Sequence, residues 1–423
     1  MAENQYLKRI LDDVLRDALS AFGAVLIEGP KWCGKTSTAR VEASSTLLMQ
    51  NPDNRESYLK TADTKPSLLL AGEVPRLIDE WQMAPVLWDA VRFAVDDRQK
   101  SGQFILTGSA VPKEDGMLHS GTGRITRILM RPMSLFESLE SNGTVSLGAL
   151  FNGERDFEGA KSTLTIEDLA FALVRGGWPA SVLENKRTAL KRASDYAEAI
   201  INTDISRIDE ARRNPARVRA LMRSLARNIS TTAKMSAIRN DMASDENEIS
   251  EKTIAEYINA LRRLYVVEDL AAWNPAMRSK TALRTSPKRH FVDPSIATAV
   301  LRATPESILA DFKSFGFLFE SLCVRDLRIY AQALDGAVFH YRDRYDLEAD
   351  AVIHLNDGRW AAAEIKLGAK EIEEAAKHLI AISEKVDTAK MSPPVFLMIL
   401  TGTEMAYQRK DGVWIVPIGC LKQ

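Results

Sequence analysis

Gly29-Pro30-Lys31-Trp32-Cys33-Gly34-Lys35-Thr36 is the stretch of this sequence densest in usable chemistry. It has the spacing G-x-x-x-x-G-K-[ST] and lies between an apolar run, Ala24-Val25-Leu26-Ile27, and Ser37-Thr38-Ala39-Arg40. That is the order of strand, phosphate-binding loop and helix. The glycines let the backbone curl until several N–H groups point at one anion. The start of the following helix, with Ser37 in its first turn, adds a partial positive charge. Lys35 would reach the β- and γ-phosphates of a nucleotide such as ATP, and the Thr36 hydroxyl would hold Mg²⁺. A chance glycine-rich turn is the rival reading, and it leaves the flanking strand and helix unexplained.

The second half of such a site is an acidic pair at a strand end, and Leu77-Ile78-Asp79-Glu80 supplies one. Asp79 would order Mg²⁺ through water, and Glu80 would orient or deprotonate the attacking water. Taken alone, an Asp-Glu pair is also an ordinary solvated strand end. Gln103–Ser109 reads as a further strand. Ligands of a parallel sheet collect at the C-terminal ends of its strands, so Thr107 and Ser109 either meet the γ-phosphate and attacking water or simply open a loop. Arg124 could supply charge to the transition state in its own chain or in a neighbour. Service to a neighbour requires a homo-oligomer.

A second constellation lies in the last third. A strand carrying Asp350 is followed by hairpin-turn chemistry, Asn356-Asp357-Gly358, and by a partner strand, Trp360–Lys366. Strand residues two apart share a face, so Glu364 and Lys366 point the same way while Ile365 turns to the core. The hairpin brings Asp350 alongside. Glu320, on an expected helix Phe315–Ala331, adds a carboxylate. Asp350 and Glu364 suit a hard cation such as Mg²⁺, which would activate water at a phosphate while Lys366 steadied the developing charge. A surface hairpin with a Glu–Lys ion pair explains the same residues without a ligand.

These residues need elements to place them. The apolar spacing predicts a helix over Tyr6–Phe22, strands at Val25–Glu28, Thr46–Met49, the run ending in Asp79, Gln103–Ser109 and Ile128–Met130, and a helix over Val86–Asp97. Alternating strands and helices predict a parallel, right-handed α/β domain over residues 1–145. Residues 140–157, rich in Gly, Ser and Asn, read as a connection. From Thr165 to Arg227 the pattern is helical, broken at Arg175-Gly176-Gly177-Trp178-Pro179 by a sharp turn. That turn either only redirects the chain or brings backbone at Pro179 against the adenine of the nucleotide. Arg207, Arg212, Arg213, Arg217, Arg219, Arg223 and Arg227 form a basic run, a phosphate contact or a solvated helix face. Ser250 reads as an N-cap of a helix bearing Ile254, Ile258, Leu261 and Leu264, followed by strand-like Tyr265–Leu270. This is the order of a winged helix-turn-helix within residues 158–285, with no base-reading residue to choose. Residues 286–423 complete the chain as an α/β domain.

The chain of 423 residues predicts about two to four domains. Its net charge of −1 gives no global field for nucleic acid, so contact with DNA or RNA would need a local patch. Cys33, Cys323 and Cys420 are too few and scattered for a disulfide framework or zinc cluster, and the five histidines lack metal-ligand spacing. No apolar run approaches the ~20 residues of a membrane span. Met1-Ala2-Glu3-Asn4-Gln5 lacks a basic, apolar leader, which predicts a cytoplasmic protein.

Together these residues resemble a bacterial and archaeal family of AAA-like P-loop ATPases followed by a domain labelled DUF4143. The marks are Gly29–Thr36, Leu77-Ile78-Asp79-Glu80-Trp81-Gln82, Leu106-Thr107-Gly108-Ser109, Gly123-Arg124, Gly176-Gly177-Trp178-Pro179, Phe291-Val292-Asp293 and the Glu320/Asp350/Glu364-x-Lys366 set. The likeness implies ATP or ADP as ligand, with Mg²⁺. It also implies that the C-terminal part is similar to the restriction-endonuclease-like fold, whose site is written PD-(D/E)xK, with Asp350, Glu364 and Lys366 as catalytic positions and Glu320 as helix carboxylate. The Gly-Gly-Trp-Pro turn is similar to the nucleotide-sensing turn of signal-transducing ATPases. Lys31 and Cys33 stand where members often carry Arg and a small residue, and Ser109 stands in place of a sensor Asn. The expectation is an ATP-hydrolysing protein whose nucleotide state controls a nuclease-like domain that binds or cuts nucleic acid. The rival is an ATP-dependent switch or scaffold whose nuclease-like domain is catalytically silent. A third is a winged-helix regulator.

Overall fold

A computed structural model describes residues 6–109, 121–206, 208, 213–242, 249–273, 286–387 and 391–423. Met1–Gln5 and, of the basic run, Arg207 and Arg212 lie outside them. The described chain divides into two compact units. The first holds Met1–Pro132, Thr203–Arg212 and Ala260–Val266; the second holds Met133–Asn202, Arg213–Asn259 and Val267–Gln423.

In the first unit, α1 (Ile10–Ala21) buries Ile10, Leu11, Leu15 and Leu19, the one-sided spacing of an amphipathic helix. It leads into β1 (Ala24–Glu28). Ala24 and Leu26 enter one core, with Leu106, Trp81 and Trp88, while Val25 and Ile27 enter the opposite one, with Leu15, Leu77 and Ile105. A strand apolar on both faces belongs inside a parallel sheet covered on both sides. The sheet has the order β2-β3-β4-β1-β5, with β2 at Ser45–Leu48, β3 at Arg76–Asp79, β4 at Phe104–Gly108 and β5 at Ile125–Leu129, all pairs parallel. Helices α2 (Lys35–Glu42), α3 (Arg55–Thr64) and α4 (Val86–Arg98) connect the strands. The parallel α/β architecture expected from the alternating pattern is present.

In the second unit, residues 140–157 are more than a connection. They contain β6 (Val145–Ser146) and α5 (Leu147–Phe151), and β6 pairs in parallel with β13 (Leu421–Lys422). Buried Val145, Leu147, Leu150 and Phe151 were masked by their Gly, Ser and Asn neighbours, and Ser146 caps α5 through the Ala149 N–H. Helices α6 (Ile166–Arg175), α7 (Pro179–Val182), α8 (Lys186–Asn202), α9 (Pro215–Arg227) and α10 (Met235–Met242) follow. Helix Glu251–Arg263, whose residues from Ala260 onward belong to the first unit, starts where the Ser250 hydroxyl accepts from the Thr253 N–H, as the cap predicted. Tyr265–Leu270 is not the strand expected. Tyr265 has positive φ, and the segment makes only isolated antiparallel bridges, Val267 to Phe291 and Leu270 to Lys288.

The 22-residue helix Phe312–Ala333 then packs on a mixed six-stranded sheet of order β11-β12-β10-β9-β8-β7. Its strands are β7 (Gly336–Arg342), β8 (Glu348–Leu355), β9 (Trp360–Lys366), β10 (Leu397–Thr401), β11 (Tyr407–Gln408) and β12 (Trp414–Pro417). β8 and β9 are the antiparallel hairpin that Asn356-Asp357-Gly358 announced. Helix Ile372–Lys385 covers the other face through Ile372, Ala376, Leu379 and Ile382. No helix among the described residues is long and apolar enough to cross a membrane.

Candidate functional site

The register of the first sheet assembles the phosphate-binding end. Leu48 lies beside Asp79, Asp79 beside Thr107, and Thr107 beside Ile27. The C-terminal ends of β1, β3 and β4 are therefore level, where a parallel sheet binds its ligand. The loop after β1 curls tightly. Gly29 has φ +151 and passes so close to the Met130 carbonyl that a Cβ would lie 2.1 Å from its oxygen. Gly34 has φ +105 and opens α2 with no side chain to cap it, so the first-turn N–H groups are left for an anion. Buried Lys35 turns back into the loop and donates to the carbonyls of Gly29 (2.9 Å) and Pro30 (2.7 Å).

Asp79 is fully buried. Its Oδ1 accepts from the hydroxyls of Thr36 and Thr107, each at 2.6 Å, and its Oδ2 from Gln50 at 3.1 Å. Glu80 has left-handed backbone at φ 57, a conformation costing a non-glycine residue about 1–2 kcal/mol. Its N–H donates to Thr107 Oγ1 at 3.2 Å, which offsets that cost. Its carboxylate accepts from Ser109 at 3.1 Å and from Gln82. Arg9 braces the loop from below through the carbonyls of Cys33 (2.7 Å) and Arg131 (2.8 Å). At the rim, Lys31 pairs with Asp204 at 2.5 Å, and Tyr265 hydrogen-bonds Glu28, the residue before Gly29. Arg263 holds the Ile208 carbonyl at 3.2 Å.

The second constellation also assembles. One step beyond Ala351 beside Ala363, the β8–β9 register sets Asp350 opposite Glu364. The Asp350 Oδ2 accepts from the Ile365 N–H at 3.0 Å and from Lys366 at 3.4 Å, and Lys366 pairs with Glu364 at 2.7 Å. A residue outside the expected set stands at its centre. Lys288 Nζ donates to Asp350 Oδ1 at 2.7 Å and to Glu320 Oε1 at 2.8 Å. Lys288, Glu320, Asp350 and Glu364 are all buried. Burial beside Asp350 pushes Glu320 up to about 8 and drives Glu364 well above the carboxylate range. Asp350 goes the other way: Lys288 and Lys366 overcome its burial and hold it far below that range. Among the described residues, no group of three or more His, Cys, Asp or Glu is arranged to hold a metal ion.

Residues 21–139 match the family model described as an AAA domain, and residues 315–421 match that of a domain of unknown function, DUF4143. The chain carries an AAA-like P-loop ATPase domain and a DUF4143 domain. Between them, residues 166–307 match a further domain of unknown function, DUF8612. An uncharacterized protein of Mycobacterium tuberculosis is 25% identical over 362 residues, spanning 83% of this chain and 72% of that one, and one of Mycobacterium bovis matches equally. A Walker-type ATPase of Pyrococcus abyssi aligns over 69% of this chain and 94% of its own at 16% identity and a TM-score of 0.42. A variant of Thermotoga maritima RuvB aligns over 61% and 88% at 18% identity and 0.28.

Within the ATPase domain, Gly29–Thr36, Asp79, Glu80 and Ser109 come together at one sheet end. Ser37 follows in the first turn of α2, and Trp32, with positive φ, is exposed on the loop. Arg124 pairs at 2.7 Å with Asp96 of α4 in its own chain. In the second unit, Gly177 N–H donates to Asp293 (3.0 Å) and Trp178 Nε1 to Ser295 (2.9 Å), and Pro179 opens α7. Sequence reasoning missed Gln50, Thr107 as a hydrogen-bond hub, Arg9 and Lys288. Only Thr107 carried a signal, as a polar residue ending an apolar strand. The others reach their sites from segments whose local pattern says nothing of a ligand.

Proposed function

We propose that this protein binds and hydrolyses ATP and that its nucleotide state switches the conformation of the rest of the chain. The single observation that carries the reading is the pairing of Thr36 with Asp79 at 2.6 Å beneath a loop whose lysine is held ready on the Gly29 and Pro30 carbonyls. The loop amides, with Ser37, would cradle the phosphates. Lys35 exchanges its two carbonyl partners for β- and γ-phosphate oxygens. Thr36 and Asp79 form an all-oxygen donor set of the kind Mg²⁺ prefers; they would hold the ion, and it would supply charge neutralisation at the phosphates. Glu80 orients the attacking water once Gln82 or Ser109 releases its carboxylate. Arg124 serves the transition state of a neighbouring subunit when it leaves Asp96, which makes a homo-oligomer part of the proposal. We keep the division into 1–145, 158–285 and 286–423 as part of the proposal. We also keep the winged-helix reading of the middle part, for which its three successive helices are the support.

For the DUF4143 domain two readings compete. In one it is nuclease-like and cuts DNA or RNA through Asp350, Glu364, Lys366 and Glu320. In the other it is a silent domain that the ATPase repositions. The buried Lys288 favours the second. Lys35→Ala should abolish ATP binding by calorimetry, and affinity near wild type would sink the ATPase reading. Cleavage of single- and double-stranded DNA and RNA with Mg²⁺ or Mn²⁺ separates the other two: activity that Lys366→Ala removes would establish the nuclease.

A further inference from the structure

We infer that Lys288 is a tethered cation standing in the place of a divalent metal, so that the Glu320/Asp350/Glu364 cluster takes up neither Mg²⁺ nor Mn²⁺ while Lys288 is present. The inference rests on the silent reading of the DUF4143 domain and names its cause.

The residue types of the cluster invite a metal, and the geometry refuses one. A divalent ion shared by Asp350 and Glu320 would have to sit about 2.0–2.2 Å from an oxygen of each. Lys288 Nζ already lies between those oxygens, 2.7 Å from Asp350 Oδ1 and 2.8 Å from Glu320 Oε1. Two further acceptor oxygens are also engaged. Asp350 Oδ2 faces the Ile365 N–H and Lys366, and Glu364 faces Lys366. Three carboxyl groups, with at most three negative charges between them, meet two ammonium groups in a buried space. Adding two further positive charges would leave an uncompensated charge away from water, which is costly at any plausible interior dielectric.

Lys288 is also anchored at its backbone and enclosed along its side chain. Its backbone is bonded on both sides to Leu270, N–H to carbonyl at 3.0 Å and carbonyl to N–H at 2.9 Å. Its side chain is 5% exposed, and its ammonium group finds these two carboxylates without reaching solvent. The consequence is structural. One ammonium joins the segment carrying Lys288, the helix Phe312–Ala333 through Glu320, and strand β8 through Asp350. Such a cluster ties three pieces of chain together where a metal would otherwise do so.

The test uses the full chain without nucleotide, titrated with Mn²⁺ and read by electron paramagnetic resonance of the free ion. Wild type and Asp350→Asn should bind the same number of ions, because the cluster contributes none. Lys288→Ala should gain one ion per chain, and Lys288→Ala/Asp350→Asn should lose it again. An ion bound by wild type and lost in Asp350→Asn would overturn the inference, and so would a folded Lys288→Ala that gains nothing. Lys288→Met, which keeps the volume, replaces Lys288→Ala should that variant not fold, and Glu364→Gln replaces Asp350→Asn in the same way. The cleavage assay on the same samples separates the two ideas. Cleavage dependent on an Asp350-bound ion overturns both, whereas cleavage without such an ion overturns the silent reading alone.

Discussion

Thr107 does two jobs with one hydroxyl: it donates to Asp79 and accepts from the N–H of left-handed Glu80. Thr107→Val keeps the shape, removes one of the three hydrogen bonds to Asp79 and takes from the Glu80 N–H its acceptor, so it should cost about 1–3 kcal/mol in urea unfolding. Thr107→Ser should cost much less, and equal stabilities for the two variants would deny the hydroxyl its role. Glu80→Gln should leave ATP affinity near wild type while slowing turnover by at least about 100-fold, the usual share of a general base. Unchanged turnover would move the water-activating role elsewhere. The sequence made the phosphate loop, Asp79, Glu80 and Ser109 visible because each lies at the end of an apolar strand whose direction is fixed by its pattern. It could not show Lys288. A lysine between Pro287 and Arg289 looks like any solvated basic run, and only the packing of a distant helix and hairpin buries it.

At the scale of elements, the strand positions were readable because both-face burial demands unbroken apolar runs, as in β1 and β4. The second unit was less readable because buried charges hold it together. Helix Phe312–Ala333 carries Arg325 and Asp326 in full burial. Arg325 pairs with Asp293 at 2.8 Å and Asp326 at 2.7 Å. Asp293 in turn caps the helix Pro294–Leu301 and receives the Gly177 N–H, while Asp326 receives the Leu135 N–H at 2.9 Å. A sequence pattern scores such residues as surface. Arg325→Met should cost about 3–5 kcal/mol, since it strands two buried carboxylates. A loss below about 1 kcal/mol in denaturant melts would show that the network does not hold these elements.

The charges of the molecule set its response to acid. His340 is fully buried, and desolvation, with Lys288 adding repulsion, lowers it from 6.5 to about 4. Arg342 adds repulsion and Asp350 opposes it. His290 is lowered too, chiefly by burial. A group whose pKa is depressed on folding contributes stability above its unfolded value and loses it as pH falls through the folded one. The share of stability that His340 contributes should therefore decline from about pH 6.5 towards pH 4, by roughly 3 kcal/mol at full titration. His340→Gln should flatten that limb in urea midpoints measured across the range, and identical slopes would remove His340 as a cause. Glu320 acts in the opposite sense. Its raised value costs stability as pH climbs from the ordinary carboxylate range through about 8.

The order of synthesis adds a further consequence. The first unit draws Asp204 and Tyr265 from lengths of chain that lie far beyond Pro132. Lys31 and Glu28, on either side of Gly29, are therefore translated long before the partners they will hold. A ribosome that has finished the five-stranded sheet has released a phosphate loop with an open rim. The rim closes only after the helices up to Glu251–Arg263 have been made, so a chain stopped early carries the nucleotide motif without its completed frame.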